Sequence, residues 1–401
     1  MTAVERFLKY VTYWTTSDPD STATPSTERQ KDLGQALMEE MRDMGVRNVS
    51  MDAAGNVMGT IPGNRDDAPT IALIAHMDTS PDASGLNVKP RIVVCTGEPL
   101  ELCPGVVLSE QTCPGWEKLA GQELIVTDGT TLLGADDKAG IAEIMTLAEK
   151  LVYSNYLHGE VRLVFTTDEE VGRGTEGLSM VKINADYAFT VDGGPLGEIE
   201  YENFNGADGD VVIHGVCVHP GSAKNVMINA ATVAMEFHQL LPADAVPEKT
   251  EGYEGFIHLH NMTGDCAEAA LHYIIRDHDE DLFEEKKQLF LKAAETINAR
   301  YGAGTVEATV TDRYYNMKEH IEPHMHLVYR AEGAFNRNNI EPICVPIRGG
   351  TDGARLSEEG LPCPNLSTGG YQFHSVREFI PVKSLDAMVQ VLEDLIGDFI
   401  L

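Results

Sequence analysis

The sequence has little positive charge for its size. It contains 30 lysine and arginine residues against 63 aspartate and glutamate residues, which gives a formal net charge of -33 at pH 7. Such a field repels nucleic acid and anionic membranes, so neither is expected as a partner. The acidity is typical of a soluble protein, and part of it is compatible with carboxylates gathered at a metal site.

Paired cysteines and long apolar runs are also missing. The seven cysteines are scattered and contain no CxxC pair, which argues against a disulfide framework and against a thiolate zinc site. No apolar run approaches the roughly 18–20 residues that a membrane span needs, and the first residues do not resemble a signal peptide. We therefore expect a cytoplasmic protein in which any metal is held by histidine and carboxylate side chains.

The apolar residues that are present predict an α/β fold. Short continuous apolar runs at residues 70–76, 161–167 and 187–191 are typical of strands buried on both faces of a mainly parallel sheet. Apolar residues at helical spacing over residues 141–152 predict a crossover helix between the first two strands. We therefore predict a mixed, mainly parallel sheet flanked by helices.

The length of 401 residues exceeds that of a usual single domain, so two domains are expected. Near residue 206 the pattern changes to the β-α-β-β-α-β order of an α+β ferredoxin-like fold. We predict that residues 206–318 form an inserted domain, and that residues 1–205 and 319–401 form the two parts of the main domain.

Histidine and acidic residues follow the predicted strands. The candidates are His76 and Asp78, Asp136 and Asp137 at the start of the crossover helix, Glu169 and Glu170, Asp192, and His374 in a late glycine-rich loop. In open α/β sheets the ligand crevice lies outside the carboxyl ends of the strands, so separate segments bring these groups to one place. Histidine and carboxylate ligands without thiolates suit Zn²⁺, Mn²⁺ or Co²⁺.

Each candidate also has an ordinary structural interpretation. A histidine after a strand is commonly a core or surface residue, an aspartate before a helix is commonly a cap, and adjacent glutamates are commonly a solvated turn. The convergence of five segments at one sheet edge favours the metal site. Spacing alone does not separate Asp136 from Asp137. A phosphate cradle at Gly134–Gly140 is excluded, because no GK[ST] follows and the loop is acidic.

Several motifs together resemble the M20 metallopeptidase family. They are Ile74-Ala-His-Met-Asp-Thr79, Thr131-Leu-Leu-Gly-Ala-Asp-Asp-Lys-Ala-Gly140, Thr166-Thr-Asp-Glu-Glu-Val-Gly172, Val191-Asp-Gly-Gly194, Val218-His-Pro-Gly-Ser222, Ile275-Arg-Asp277, Ile347-Arg-Gly-Gly-Thr-Asp-Gly353 and His374. They occur in the family's order over essentially the whole chain. The resemblance implies a zinc-peptidase catalytic domain with an inserted lid domain, and it is strongest to the tripeptide aminopeptidases of the family.

The resemblance also implies two Zn²⁺ ions per chain, with Mn²⁺ or Co²⁺ as possible substitutes. His76 and Asp192 would hold one ion, Glu170 and His374 would hold the other, and Asp136 would bridge them. The family places a cis peptide bond after the bridging aspartate.

Two further residues are implied to be catalytic. Asp78 would orient His76 by accepting a proton from its imidazole. Glu169 would be the general base that takes a proton from the metal-bound water and passes it to the leaving amine.

Three residues of the inserted domain and its surroundings are implied to bind substrate. His219 resembles the lid histidine that steadies the oxyanion, although a turn histidine before proline is the ordinary interpretation. Arg276 and Arg348 are candidates for gripping the C-terminal carboxylate of the peptide. A surface or domain-interface salt bridge is the alternative for both.

The function implied is hydrolysis of the first peptide bond of short peptides, preferentially tripeptides, by a protein that is a monomer or a homodimer. A dipeptidase, carboxypeptidase or N-acyl amino acid deacylase with the same zinc site is the alternative within the family. A non-catalytic peptide-binding protein is the alternative from a different class.

Overall fold

The computed structural model describes residues 1–400, which divide into two compact units. The first unit comprises Met1–Tyr201, Glu319–Val345 and the chain from Thr351 on, and the second comprises Glu202–Lys318 and Pro346–Gly350. The short segment Pro346–Gly350 therefore belongs with the second unit, whereas the sequence analysis placed it in the main domain. The assignment of the two units as catalytic and lid domains stays a prediction.

An eight-stranded sheet forms the centre of the first unit. In spatial order its strands are β1 (Arg47–Met51), β2 (Val57–Ile61), β8 (Val161–Thr166), β3 (Ile71–His76), β9 (Tyr187–Gly193), β16 (Asn365–Ser367), β10 (Glu198–Glu200) and β15 (Ile343–Cys344). The four middle strands β8, β3, β9 and β16 are parallel. Strand β1 is antiparallel to β2, β2 to β8, and β10 to β16. The sheet is mixed with a parallel centre, as predicted.

Two smaller antiparallel sheets also belong to the first unit. One consists of β17 (Phe379–Pro381), β7 (Glu123–Val126) and β4 (Arg91–Val94), and the other of β5 (Leu100–Cys103) and β6 (Val106–Leu108). They surround a separate apolar cluster in which the rings of Trp116 and Phe379 meet edge to face, with their centroids 5.6 Å apart.

The described residues form ten α-helices. They are α1 (Ala3–Tyr10), α2 (Gln30–Met44), α3 (Ala135–Tyr153), α4 (Met180–Ile183), α5 (Ala230–Gln239), α6 (Glu280–Tyr301), α7 (Lys318–Ile321), α8 (His326–Arg337), α9 (Asp352–Glu358) and α10 (Val382–Asp398). None of them is long and apolar enough to cross a membrane.

The centre of the first unit is packed on both faces of its sheet. Every residue of β3 is buried, which explains why its sequence is a continuous apolar run rather than an alternating one. Helix α3 packs closely on β9 because residue 140 is glycine: a Cβ there would lie 2.0 Å from the main-chain oxygen of Val191. This close approach brings the start of α3 next to the end of β9.

The second unit contains one antiparallel sheet with two helices. The strand order is β12 (Phe256–Gly264), β13 (Glu268–Asp277), β11 (Asn205–His214) and β14 (Val306–Tyr314). Along the chain the order is β11-α5-β12-β13-α6-β14, which is the predicted ferredoxin-like order. Side chains from the sheet and both helices, among them Val211, Phe237, Tyr273, Phe290 and Ile297, form a core of their own.

Candidate metal centre

His76 lies at the end of β3 and is 2% exposed. Its Nε2 atom is 2.8 Å from Oδ1 of Asp136 and 3.3 Å from Oδ1 of Asp192. Its Nδ1 atom faces Asp78, at 3.1 Å from the main-chain oxygen and 3.4 Å from Oδ1. Two other segments, the start of α3 and the end of β9, therefore meet the end of β3 at one imidazole, as expected for the ligand crevice of an open α/β sheet.

The two adjacent aspartates at the start of α3 face different partners. The peptide bond between Asp136 and Asp137 is cis, as the family resemblance implied. One oxygen of Asp136 contacts His76, and the other is 3.1 Å from Nε2 of His374. Asp137 instead accepts hydrogen bonds from the main-chain amides of His76 and Gly140, both at 3.2 Å. Of these two neighbours, Asp136 is the one that contacts both histidines.

Glu169 and Glu170 are held by a single carboxylate. They follow β8 in a short 3-10 turn. Oδ1 of Asp78 accepts a hydrogen bond from the amide of Glu169 at 3.1 Å, and Oδ2 accepts one from the amide of Glu170 at 3.2 Å. The side chain of Glu170 reaches His374, with 2.8 Å between Oε2 and Nε2. Asp78 therefore positions both glutamates as well as His76.

His374 lies on a loop and its side chain is 42% exposed. Its φ of 59° is in the left-handed region, as is that of Gln372. The Nδ1 atom of His374 is 3.3 Å from Oδ2 of Asp82, a contact that the sequence analysis missed. Asp82 lies six residues after His76 in the chain, and nothing in that spacing indicates a contact with a loop almost 300 residues further on.

The sequence analysis included Asp168 in the motif of residues 166–172 but assigned it no role. The buried carboxylate of Asp168 accepts two hydrogen bonds from Ser26, one from the main-chain amide at 2.6 Å and one from the side-chain hydroxyl at 2.5 Å. It accepts a third from Nε2 of Gln30 at 2.6 Å. The φ of Asp168 is 62°. The turn that carries both glutamates is therefore anchored to the start of α2.

The carboxylates around His76 and His374, which together with these histidines form the cluster, outnumber the two histidines. Burial raises the pKa of Glu170 to about 8 and that of Asp192 to about 6, and burial together with nearby Asp192 raises the pKa of Glu169. Burial opposes the charge on His374, but hydrogen bonds to Asp136 and Glu170 outweigh it and raise the pKa of His374 to about 11. Such a site favours an additional positive charge.

The donor atoms of this cluster fit a divalent cation. Ligand atoms of His76, Asp136 and Glu170 lie within 4.8 Å of one another, and so do those of His76, Glu169 and Asp192. Among the described residues, Oε1 of Glu170 is buried without a hydrogen-bond partner. A buried carboxylate oxygen without a partner costs free energy, which a bound cation offsets. Imidazole and carboxylate donors suit Zn²⁺, Mn²⁺ and Co²⁺.

His219 and Arg276, predicted to bind substrate, belong to the second unit and contact their own surroundings there. His219 is exposed, and its Nδ1 atom accepts a hydrogen bond from the amide of Gly221 at 3.1 Å, which caps a single 3-10 turn. Arg276 donates to the main-chain oxygens of Ala207 and Ile275 at 3.0 and 2.9 Å. The roles of both residues in substrate binding stay predictions.

Arg348, also in the second unit, makes more hydrogen bonds than Arg276 does. Its Nη1 atom donates to the main-chain oxygens of Gly252 and Glu254 at 2.7 and 2.9 Å. Its Nη2 atom donates to the hydroxyl and the main-chain oxygen of Thr250 at 2.9 and 3.3 Å. The terminal nitrogens are thus occupied by one loop, so a grip on a substrate carboxylate would require these contacts to be exchanged.

Two family models match parts of the chain. Residues 201–302 match the model described as peptidase dimerisation domain, and residues 123–236 match the model described as M42 glutamyl aminopeptidase. The first match falls largely on the second unit.

Relatives that align over the whole length of this chain are identical to it at about half of the aligned positions. Peptidase T of Halothermothrix orenii is 49% identical over 398 residues, which cover 98% of each chain. Peptidase T of Clostridium novyi is 50% identical over 399 residues, which cover 97% of this chain and 98% of its own.

Among solved structures, aminopeptidase PepT from Bacillus cereus aligns with a TM-score of 0.79 at 24% identity, over 100% of this chain and 98% of its own. A dinuclear metal-binding peptidase of the M20 family from Bacillus subtilis aligns with a TM-score of 0.66 at 15% identity, over 99% and 97% of the two chains. These structures have the same fold as this chain.

Proposed function

Because the chain belongs to the peptidase T family of M20 metallopeptidases, we propose that it is a metal-dependent aminopeptidase that releases the N-terminal residue of short peptides, preferentially tripeptides. The observation that carries this proposal is the contact of Asp136 with two histidines through its two oxygens, beside a buried and unpartnered oxygen of Glu170. A bridging ligand between two cations needs this arrangement.

We assign two Zn²⁺ ions to the site, with Mn²⁺ or Co²⁺ as substitutes. His76 and Asp192 would hold one ion, Glu170 and His374 would hold the other, and Asp136 would bridge them. When bound, two such ions polarise the scissile carbonyl and lower the pKa of a water molecule at the site. The contacts of His76 with Asp136 and Asp192, and of His374 with Asp136 and Glu170, support this division.

Glu169 is the general base in this proposal. It takes a proton from the attacking water and delivers it to the leaving amine. The main-chain amides of Glu169 and Glu170 both donate to the carboxylate of Asp78, which fixes the position of the two residues relative to each other. Asp78 also orients the imidazole of His76 through Nδ1.

The residues of the second unit are proposed to handle the substrate. His219 would stabilise the oxyanion, and Arg276 and Arg348 would bind the C-terminal carboxylate. For that role Arg348 would have to exchange its hydrogen bonds with residues 250–254. We also propose a homodimer, which the match of residues 201–302 to the peptidase dimerisation domain supports. The cytoplasmic location stays a prediction.

A panel of peptides tests the proposed function. Di-, tri- and tetrapeptides are compared with free and with acetylated N-termini, and bound metal is quantified in the same preparation. We expect the free tripeptide to be cleaved fastest at its first bond, with about two metal ions per chain. Equal cleavage of the acetylated tripeptide would contradict an aminopeptidase and favour the deacylase alternative. Faster cleavage of the dipeptide would favour a dipeptidase.

A further inference from the structure

One buried carboxylate next to the cluster has no role in the chemistry above. Glu378 is 1% exposed and precedes β17. Its Oε2 atom accepts hydrogen bonds from the amides of Leu133 at 2.7 Å and Gly134 at 2.8 Å, and its Oε1 atom accepts one from the amide of Asp136 at 3.1 Å. No lysine or arginine of residues 1–400 forms an ion pair with it. A buried carboxylate is costly unless it is hydrogen-bonded, and here main-chain amides supply all three bonds.

The three amides belong to the segment that ends in the candidate bridging ligand. Gly134 has a φ of 82°, and α3 begins at the next residue. The segment makes a sharp turn there, and its course determines where the carboxylate of Asp136 points. Because Glu378 bonds the amide of Asp136 itself as well as two preceding amides, it constrains both the turn and the ligand.

Glu378 also belongs to the base of the loop that carries His374. Tyr371 and Phe379 close this loop with two main-chain hydrogen bonds of 2.9 and 3.1 Å, and their rings stack with centroids 4.9 Å apart. The amide of Glu378 donates to the main-chain oxygen of Ser375 at 3.2 Å. His374 therefore projects from a closed loop of residues 371–379, and the side chain of Glu378 joins the base of that loop to the Asp136 segment.

We propose that Glu378 is a positioning residue of the metal centre, which holds Asp136 and His374 at the spacing that two metal ions require. The proposal rests on the metal centre of the proposed function. It assigns Glu378 no contact with metal or substrate. Its effect is transmitted through the main chain of the two segments that supply these ligands, in the way that outer hydrogen bonds orient metal ligands in other proteins.

The alternative is that Glu378 is only a structural anchor, whose loss lowers stability without changing the metal site. Metal affinity separates the two possibilities, since an anchor alone would not change it in a folded protein. Glu40→Gln is a matched control, because Glu40 is also a buried glutamate of the first unit. Glu40 bonds Arg6 at 2.7 Å and Lys9 at 3.0 Å, both on α1.

The test uses the full chain with Glu378→Gln, Glu378→Ala and Glu40→Gln. Zinc affinity is measured by competition with a chromogenic chelator, and thermal unfolding is measured on the metal-free proteins. We expect Glu378→Ala to bind zinc about 10–100-fold more weakly than the wild type. The zinc affinity of Glu378→Gln should lie between those of the wild type and Glu378→Ala. The glutamine amide keeps the size of the side chain and one accepting oxygen, but it places an NH₂ group against a main-chain amide.

Each result decides the proposal. Wild-type zinc affinity in a folded Glu378→Gln and Glu378→Ala would overturn it, and so would an equal loss of affinity in Glu40→Gln. If Glu378→Ala fails to fold, Glu378→Gln alone decides. A wild-type protein that binds no zinc would overturn the proposed function and this inference together, whereas wild-type binding with unchanged variants would overturn this inference alone.

Discussion

His76 and His374 both contact Asp136, but they reach it from different kinds of structure. His76 lies at the end of β3, a strand buried along its whole length, and its own side chain is 2% exposed. His374 lies on a loop with a left-handed main-chain conformation, and its side chain is 42% exposed. The part of the cluster around His76, the strand-supported half, is therefore held by the core. The part around His374, the loop half, depends on hydrogen bonds between loops.

This difference extends to the carboxylates that orient the two imidazoles. Asp78 is fully buried and also binds the amides of Glu169 and Glu170. Asp82 is 68% exposed, and its carboxylate contacts Nδ1 of His374. Solvent screens an exposed pair, so the Asp82 contact contributes less than the buried Asp78 contact.

The largest expected effect falls on Glu169, which has a ligand atom within 4.8 Å of those of His76 and Asp192. Glu169→Gln should lower kcat about 10²–10⁴-fold, because it removes the general base. Metal content should stay at the wild-type level, since Glu169 is not assigned as a ligand. Steady-state kinetics together with metal analysis checks this. Loss of metal in this variant would make Glu169 a ligand instead.

The next effect compares the two histidines directly. His76→Ala and His374→Ala should both lower the metal content of the protein. In the metal-free state, His76→Ala should also lower the free energy of unfolding by about 1–3 kcal/mol, because it removes a buried side chain from among carboxylates. His374→Ala should lower it by less than His76→Ala does, because the His374 side chain is 42% exposed and solvent screens part of its pairing with Asp136 and Glu170. Denaturant unfolding measures both, and equal destabilisation would contradict the distinction between the two halves.

A smaller effect compares the two orienting aspartates. Asp78→Asn should weaken metal binding about 10–100-fold, since it disturbs a ligand and two main-chain contacts. Asp82→Asn should weaken it by less than about 5-fold, because the pair is exposed and worth under about 1 kcal/mol. Zinc titration of both variants checks the ranking. The reverse order would show that the loop half depends more strongly on its orienting carboxylate.

The smallest expected effect is local and follows metal removal. Chelation should accelerate amide hydrogen exchange in residues 371–379, because the loop loses the ligand contact of His374. Amides of β3 should stay protected, since their exchange requires opening of the central sheet. Exchange measured by mass spectrometry on the loaded and chelated protein tests this. Faster exchange in both regions would mean that the two halves are coupled.

The strand-supported half of the site was predictable from the sequence, because the signals are local. A continuous apolar run followed by His76 identifies a buried strand with a polar end, and the same holds for β9 and Asp192. The ferredoxin-like order was also predictable from alternating periodicity. In contrast, β4 to β7 are each only three or four residues long and contain at most three consecutive apolar residues, which is too short a run to identify a strand.

The residues that support the loop half were not predictable, because their partners are distant in the chain. Glu378 bonds amides more than 240 residues away, and Asp82 contacts His374 across almost 300 residues. Neither contact can be predicted from the spacing of nearby residues in the sequence. The choice between Asp136 and Asp137 required the family resemblance for the same reason, because it depends on which way each side chain turns.

The two oxygens of Asp78 bind consecutive amides, one of Glu169 and one of Glu170. This fixes the order of base and ligand along the chain. Insertion or deletion of one residue in the turn after β8 would put one glutamate in the other's position and leave the second position to a different residue. Substitutions elsewhere can adjust the site gradually, but a length change here cannot. We expect genes of active relatives to accumulate point changes around this turn while its length stays constant.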